Sequence, residues 1–398
     1  MDVIRRIVNN RKKEESFFDY TLLFVVLFLV GFGLIMIYSA SSYEANLELG
    51  DPAYYLKRQA IAAFLGLIAM IFVSFVPTKI FSKFSTTYYI VGLVGIFLLL
   101  TPLGIEANGA TRWLKTGVGF NLQPAEIAKL CMILFLASII CKMGKSLKTW
   151  KGFIVALIFP IPMCLAVWLI SNNLSSAIII FAIAYLMIFV ASPDLKKILV
   201  VTGAVGLVVI GIVAYVYFFV EPTTENFRLA RILAWFHPEA YAQDQGFQTL
   251  QSLYAIGSGG VFGKGLGKSM QKLSYIPEAQ NDMIFAILCE ELGLFGAFSI
   301  MLLFVILIWR CMVIANNAKD LYSALLVVGV MGHFAIQVLL NIAVVTNTIP
   351  NTGISLPFIS YGGSSILFLM IEVGIVLGVG RSIKLKDGKQ WAKQQREN

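Results

Sequence analysis

The run YTLLFVVLFLVGFGLIMIYSASS, Tyr20 to Ser42, carries no charged residue and exceeds the ~20 apolar residues that a bilayer-crossing helix needs. Nine further stretches read the same way: Gln59–Val76, Tyr88–Leu103, Ala125–Met143, Gly152–Ser171, Leu174–Ser192, Ile198–Val220, Asp282–Arg310, Leu321–Val345 and Ser360–Gly380. Composition agrees. Of 398 residues, 58% are hydrophobic and 13% charged, against roughly 25% charged in a soluble globular chain. No polar domain interrupts the spans. The sequence predicts an all-α polytopic membrane protein of ten transmembrane helices, with residues 1–398 forming one domain.

The net charge of +9 is no nucleic-acid signal, because the cations sit in short segments beside the spans, where they set orientation. Arg5, Arg6, Arg11, Lys12 and Lys13 precede the first span. They are mixed with Glu14 and Glu15 over too long a stretch for a cleavable signal, so the first span is predicted to be a permanent anchor. With this end in the cytoplasm, Lys79, Lys83, Lys142, Lys145, Lys148, Lys151, Lys196, Lys197, Arg310 and Lys319 also lie inside. The opposite short loops hold fewer cations. Both termini are predicted cytoplasmic, as basic tails 1–19 and 381–398. Residues 221–281 then form one long extracellular loop between the seventh and eighth helices. The five cysteines, Cys131, Cys141, Cys164, Cys289 and Cys311, lie in spans or at their ends and suggest no disulfide framework. With only His237 and His333, the chain offers no metal-ligand spacing.

The loop is too long for a plain connector. Its glycines, among them Gly259, Gly263 and Gly267, permit tight turns, and it mixes Arg228, Arg231, Lys264, Lys268 and Lys272 with Trp235, Phe236 and Tyr275. That composition suits a folded lid over a polar, anionic substrate, and equally a structural loop.

Ionisable groups inside spans are costly, which makes each one a functional candidate. Glu126 and Lys129 share a helix face in the fourth span, either as a self-neutralising packing pair or as the lining of a headgroup cavity. Glu290 and Glu291 enter the eighth span, and Glu372 the tenth. Asp282, in Ile276-Pro277-Glu278-Ala279-Gln280-Asn281-Asp282-Met283, stands where the loop becomes helix. It suits a helix cap. It also suits a general base that takes a proton from a sugar hydroxyl attacking an activated anomeric carbon. Residue chemistry leaves both readings open.

Three ordered blocks carry a resemblance. The first is Asn108-Gly109-Ala110-Thr111-Arg112-Trp113 with Gln123-Pro124-Ala125-Glu126-Ile127-Ala128-Lys129. The second runs from Gly246-Phe247-Gln248 through Gly257-Ser258-Gly259-Gly260 to Pro277–Asp282 and Glu290-Glu291-Leu292-Gly293. The third is Pro350-Asn351-Thr352-Gly353-Ile354-Ser355-Leu356-Pro357-Phe358-Ile359-Ser360-Tyr361-Gly362-Gly363-Ser364-Ser365. Together they resemble the SEDS family of bacterial cell-wall proteins, which includes FtsW, RodA and SpoVE, over nearly the whole chain.

That resemblance implies a peptidoglycan glycosyltransferase polymerising lipid II, the undecaprenyl-pyrophosphate-linked disaccharide peptide, at the outer face of the bacterial plasma membrane. The family's essential aspartate maps onto Asp282, as base in an inverting attack. The implied substrate-binding set is Arg112, Trp113, Gln123, Glu126, Lys129, Gln248, Lys272 and Ser360. Arg112, Lys129 and Lys272 are candidates to face the leaving pyrophosphate, with a divalent cation (Mg2+ or Mn2+) as a helper. A class B penicillin-binding protein is the implied transpeptidase partner, with other divisome membrane proteins and a septal location. Departures from the family pattern are Gln280-Asn281 where His-Thr is frequent, Asn172-Asn173-Leu174-Ser175 where Pro-Asp-Leu-Gly is usual, and Ala125 in place of serine. Ser269-Met270-Gln271-Lys272-Leu273 and Pro277-Glu278-Ala279 look more like the division and sporulation branch than the elongation, RodA-like one. A lipid II flippase without bond chemistry fits charged spans equally well.

Overall fold

The computed structural model describes residues 18–107, 109–117, 121–192, 194–220, 227–243, 246–273 and 275–383. The basic tails beyond residues 18 and 383, Asn108 of the first block and the side chain of Arg228 lie outside them. Among the described residues, nine helices are long and apolar enough to cross a membrane. In chain order the helices are α1 (Tyr20–Leu49), α2 (Tyr54–Ser74), α3 (Thr78–Lys83), α4 (Ser85–Phe97), α5 (Pro124–Met143), α6 (Trp150–Ile158), α7 (Ile161–Ser171) and α8 (Leu174–Ala191). They continue as α9 (Leu195–Phe219), α10 (Phe227–Phe236), α11 (Phe247–Gly259), α12 (Ile284–Asn316), α13 (Leu321–Val345) and α14 (Gly363–Ser382).

Local chemistry sets the ends. Asp19 accepts from the Leu22 N–H at 2.9 Å to start α1, and Gly50, at φ 69°, stops it. Asn173 and Asp320 cap α8 and α13 in the same manner, accepting from Ser176 and Ser323. Boundaries differ from the sequence reading where chemistry intervenes. The third predicted span is a helix of 13 residues followed by a three-residue 3-10 turn, Leu98–Leu100, shorter than the other spans. The fifth is split into α6 and α7 beside Pro160, which has no N–H to continue the ladder.

One element departs from an all-α chain. Strands β1 (Gly104–Ala107) and β2 (Ala110–Leu114) pair antiparallel between α4 and α5. Along Ala110-Thr111-Arg112-Trp113-Leu114 both ends are buried and Arg112 at the centre is exposed.

The bundle closes around α5, α13 and α14, its most buried spans. Side chains are small where backbones meet: a Cβ added to Gly374 of α14 would collide with the Met70 backbone of α2. Helix α9 is the opposite case, with only Lys197 and Val216 buried.

Helix α12 is broken at Gly293, whose φ of 68° and ψ of −168° are not helical. The freed backbone groups are recruited by the loop after α11. Lys264 and Gly265 donate to the Glu290 and Glu291 carbonyls at 3.0 and 2.8 Å, while Leu294 and Phe295 donate to Gly260 and Val261, both at 3.0 Å. Added Cβ atoms at Gly259 or Gly293 would overlap the facing backbone, so small residues are needed on both sides. The two glutamate side chains complete the lock. Glu290 pairs with Lys264 at 2.6 Å and accepts from Ser269 Oγ and from the Met270 and Gln271 N–H groups. Glu291 accepts from Lys272 Nζ at 2.9 Å and Ser39 Oγ at 2.7 Å.

Candidate active site

The loop, once pinned to α12, delivers residues 276–283 to one end of the bundle. The Gln280 carbonyl accepts from the Tyr361 N–H at 2.8 Å, which ties this segment to the stretch before α14. Asp282 follows. It does not occupy the cap position of α12, which falls to Met283 without a side-chain bond. The Asn341 amide, fully buried on α13, instead donates to the carbonyls of Asp282 and Ile354, both at 2.7 Å. One side chain therefore fixes the aspartate backbone to the 351–355 stretch. There Gly353, at φ 67°, brings its backbone beside Asp282; a Cβ built on it would lie 3.7 Å from Oδ2.

Electrostatics at this carboxylate pull in two directions. Asp282 keeps part of its surface open, yet protein surrounds it closely enough that burial pushes its carboxyl up to about 6. The negative charge of Glu278 acts the same way; its own and the Met283 N–H, and the positive charge of Arg231, pull it back down. Arg231, on α10, donates to the Asn351 carbonyl at 3.1 Å. Burial lowers its own proton affinity, as does repulsion from Arg112, while Asp282 raises it. Asp282, Arg231 and Arg112 are thus within electrostatic reach of one another. A carboxyl near 6 is mostly ionised at neutral pH and still basic enough to take a proton.

Of the residues predicted from sequence, Arg112 is exposed on β2 and donates to the Asn172 carbonyl at 3.3 Å. Trp113 is half-buried opposite Ile105. Gln248 is woven into the site, donating to the Pro277 carbonyl at 3.3 Å and accepting from Asn351 Nδ2 at 2.8 Å. Ser360 is buried; its Oγ accepts from the Leu356 N–H at 2.7 Å and its carbonyl from Gln59 at 3.3 Å. These bonds shape the turn before α14.

Glu126 and Lys129 form a buried pair at 2.8 Å. Ser365 Oγ donates to Glu126 at 3.4 Å, and Gln123 N–H donates to the adjacent Ser364 Oγ at 3.3 Å. Lys129 reaches Gln337 at 3.5 Å, whose amide donates to the Ser355 carbonyl at 3.0 Å. The 351–365 stretch therefore joins the Glu126–Lys129 pair to Asp282. Lys272 belongs elsewhere: its ammonium is buried in the Glu291–Ser39 network that pins the loop.

Arg231, Gln337 and Asn341 stand beside the predicted set, and sequence reasoning did not single them out. A signal existed for two of them. His333, Gln337 and Asn341 recur every fourth residue in an otherwise apolar span, a polar stripe on one helix face. All three are buried, and His333 meets Glu372 of α14 at 2.8 Å.

Comparisons with known proteins agree along most of the chain. The family model described as cell cycle protein, for FtsW, RodA and SpoVE, matches residues 20–385. Stage V sporulation protein E of Bacillus subtilis is 40% identical over 370 residues, covering 91% of this chain and 97% of that one. A probable peptidoglycan glycosyltransferase FtsW of Trichlorobacter lovleyi is 36% identical over 369 residues, covering 92% and 94%. A chain of a solved peptidoglycan synthase complex superimposes with a TM-score of 0.75 at 26% identity, covering 93% of this chain and 99% of that one. The rod shape determining protein RodA of Thermus thermophilus gives 0.63 at 26% identity, covering 93% and 98%.

Proposed function

Because this chain belongs to the FtsW, RodA and SpoVE family of cell cycle proteins, we propose that it is a peptidoglycan glycosyltransferase that polymerises lipid II at the outer face of the bacterial plasma membrane. The observation that carries the chemistry is the ionisable, partly shielded Asp282 beside Arg231. Asp282 accepts the proton of the acceptor sugar's 4-hydroxyl as that oxygen bonds to the donor's anomeric carbon. The anomeric bond to phosphate breaks, and undecaprenyl pyrophosphate leaves. Attack opposite the leaving group inverts the centre and requires no covalent intermediate. Charge grows on the departing pyrophosphate, where fixed cations contribute several kcal/mol. Arg112 and Arg231 face that role from the loop side, and Lys129 from the bundle. Lys272 acts through the loop that it holds. Gln123, Trp113, Gln248 and Ser360 shape the surrounding walls. Among the described residues no trio of His, Cys, Asp or Glu gathers into a cation site. No step here runs through a divalent cation.

The positive-inside distribution supports ten spans, with the short α4 as the tenth, both termini cytoplasmic and residues 221–281 outside. The whole chain is then one membrane domain. Similarity to the sporulation and FtsW proteins supports the division or sporulation branch and a septal location. Similarity to a chain of a peptidoglycan synthase complex supports a class B penicillin-binding protein as partner, alongside other divisome membrane proteins.

The deciding experiment supplies purified protein with lipid II in detergent, with and without the partner, where no membrane sidedness exists. Glycan strands are the expected product. Their absence from folded, partner-bound protein would favour a flippase.

A further inference from the structure

At the end of the bundle opposite Asp282, where α2 and α14 finish and α13 begins, lies a cavity of about 380 Å³ lined by Lys79, Lys319 and Arg381. Among the described residues none of these three cations has a carboxylate within ion-pair distance, whereas other cations at this end do: Arg310 meets Asp19 at 2.7 Å and Lys197 meets Asp194 at 3.3 Å. The one acidic residue in the lining, Asp320, is occupied as the α13 cap, accepting from Ser323 N–H and Oγ at 2.9 and 3.1 Å. The lining therefore carries three cations against one carboxylate, a net positive charge.

An ordered apolar strip leads to the cavity and meets it at Phe75. Ile68, Ile71, Phe72 and Phe75 recur at the three- and four-residue spacing of one helix face and are 51%, 51%, 71% and 65% exposed. This strip runs down the membrane face of α2 into the cavity. At its foot the Arg381 guanidinium stacks 4.0 Å over the Phe75 ring, joining the apolar strip to the cationic pocket. A free phosphate would use only the cations. A molecule with an anionic phosphodiester head and acyl chains would use both, since basic pockets at helix ends capture lipid headgroups.

We propose that this cavity is a binding site for an anionic phospholipid, with its headgroup among Lys79, Lys319 and Arg381 and its acyl chains along Ile68, Ile71, Phe72 and Phe75. Naming this leaflet cytoplasmic rests on the orientation argued above. Lipid binding in detergent has no sidedness, so a reversed orientation would leave the site standing and move only the leaflet.

The test uses the full chain in a zwitterionic detergent. Phosphatidylglycerol and phosphatidylcholine are titrated and bound lipid is counted by native mass spectrometry. A photoreactive acyl-chain phosphatidylglycerol then maps the contact by proteolysis. Cross-links are expected in the peptides around residues 68–79 and 375–383. Lys79→Gln/Lys319→Gln/Arg381→Gln should weaken phosphatidylglycerol binding about 10- to 100-fold, from the loss of up to three interfacial charges. Lys142→Gln/Lys145→Gln/Lys151→Gln, which removes exposed cations at the same end of the bundle, should leave it unchanged. Equal losses in both variants, equal binding of the two lipids, or cross-links elsewhere would overturn the site. Displacement of phosphatidylglycerol by excess inorganic phosphate would replace the lipid with a free anion and equally overturn the proposal. Because the cross-link map is made on the unaltered chain, the test stands even if the triple variant fails to fold.

Discussion

Replacing Asp282 by Asn should make this protein more stable and inactive at once. Burial raises the carboxyl from 3.8 to about 6, so its charge costs the fold about 3 kcal/mol at neutral pH. The side chain retains partial exposure, and water reaching it reduces the recoverable part to about 1–2 kcal/mol. The sign follows from proton counting. Between 3.8 and about 6 the folded chain binds the extra proton, so this carboxyl's favourable contribution is complete below 3.8 and lost as pH rises through 6. Asn carries no charge to penalise. Asp282→Asn should therefore unfold a few degrees higher than the unaltered protein at pH 8, and the gap should close as the pH approaches 4. Polymerisation should meanwhile fall about 10²–10⁴-fold, the usual contribution of a general base. The assays are thermal unfolding of purified protein across that pH range and glycan formation from lipid II, with partner pull-down as a control for folding. Equal polymerisation by both proteins would rule out the base. A lower unfolding temperature for the Asn variant at pH 8 would show that the fold welcomes the charge, and would sink the electrostatic argument even if activity were lost.

Five other outcomes follow from the same reasoning. The pH profile of kcat/KM should fall about tenfold per unit below a break near pH 6. Arg231→Gln should move that break upward while slowing the reaction; an unmoved break would separate Arg231 from Asp282. Lys129→Ala leaves Glu126 buried without its counter-charge, at a cost of about 3–5 kcal/mol, and should sharply reduce polymerisation. Glu126→Gln/Lys129→Met should recover folded protein without activity, whereas near-normal turnover would mean that the pair only packs. Gly259→Ala places a methyl against the Cys289 carbonyl and should loosen the loop from α12, read as faster proteolysis between residues 260 and 272. Cysteines introduced at positions 148 and 239 should label from opposite sides of the membrane, and labelling from one side would overturn the ten-span orientation; position 244, on the same loop, lies outside the described residues.

Most of the span layout was legible because the burial of an apolar helix in lipid needs only its own residues. Leu321–Val345 was located at both ends on that ground, and Tyr20–Leu49 at its start, although the helix runs past the predicted end at Ser42. What sequence did not yield are features created by distant partners. The break at Gly293 exists because a loop supplies Gly260 and Val261 as acceptors for Leu294 and Phe295. The hairpin at 104–114 hides in a stretch whose alternation is short and partly polar. At the site, Asp282 stood out as a lone acid before a span, but its surroundings did not. Arg231 was one of several loop cations until α10 placed it on Asn351. Lys272 looked equally available, and only its Glu291 partner shows that it is engaged.

The Glu126–Lys129 pair also bears on how the chain enters the membrane. Ribosomes deliver α5 long before Gln337 and Ser365, which lie 208 and 239 residues downstream of their partners Lys129 and Glu126. For that interval the helix must reside in lipid with none of its eventual polar neighbours synthesised. A lone carboxylate or ammonium would penalise insertion by about 2.5–3.5 kcal/mol at the helix centre and by a part of that in the first turns, where this pair sits. Two opposite charges one helical turn apart travel as a neutral unit from the start. The pair is its own escort, so the span can be inserted early and recruited later, when α13 and α14 arrive to enclose it.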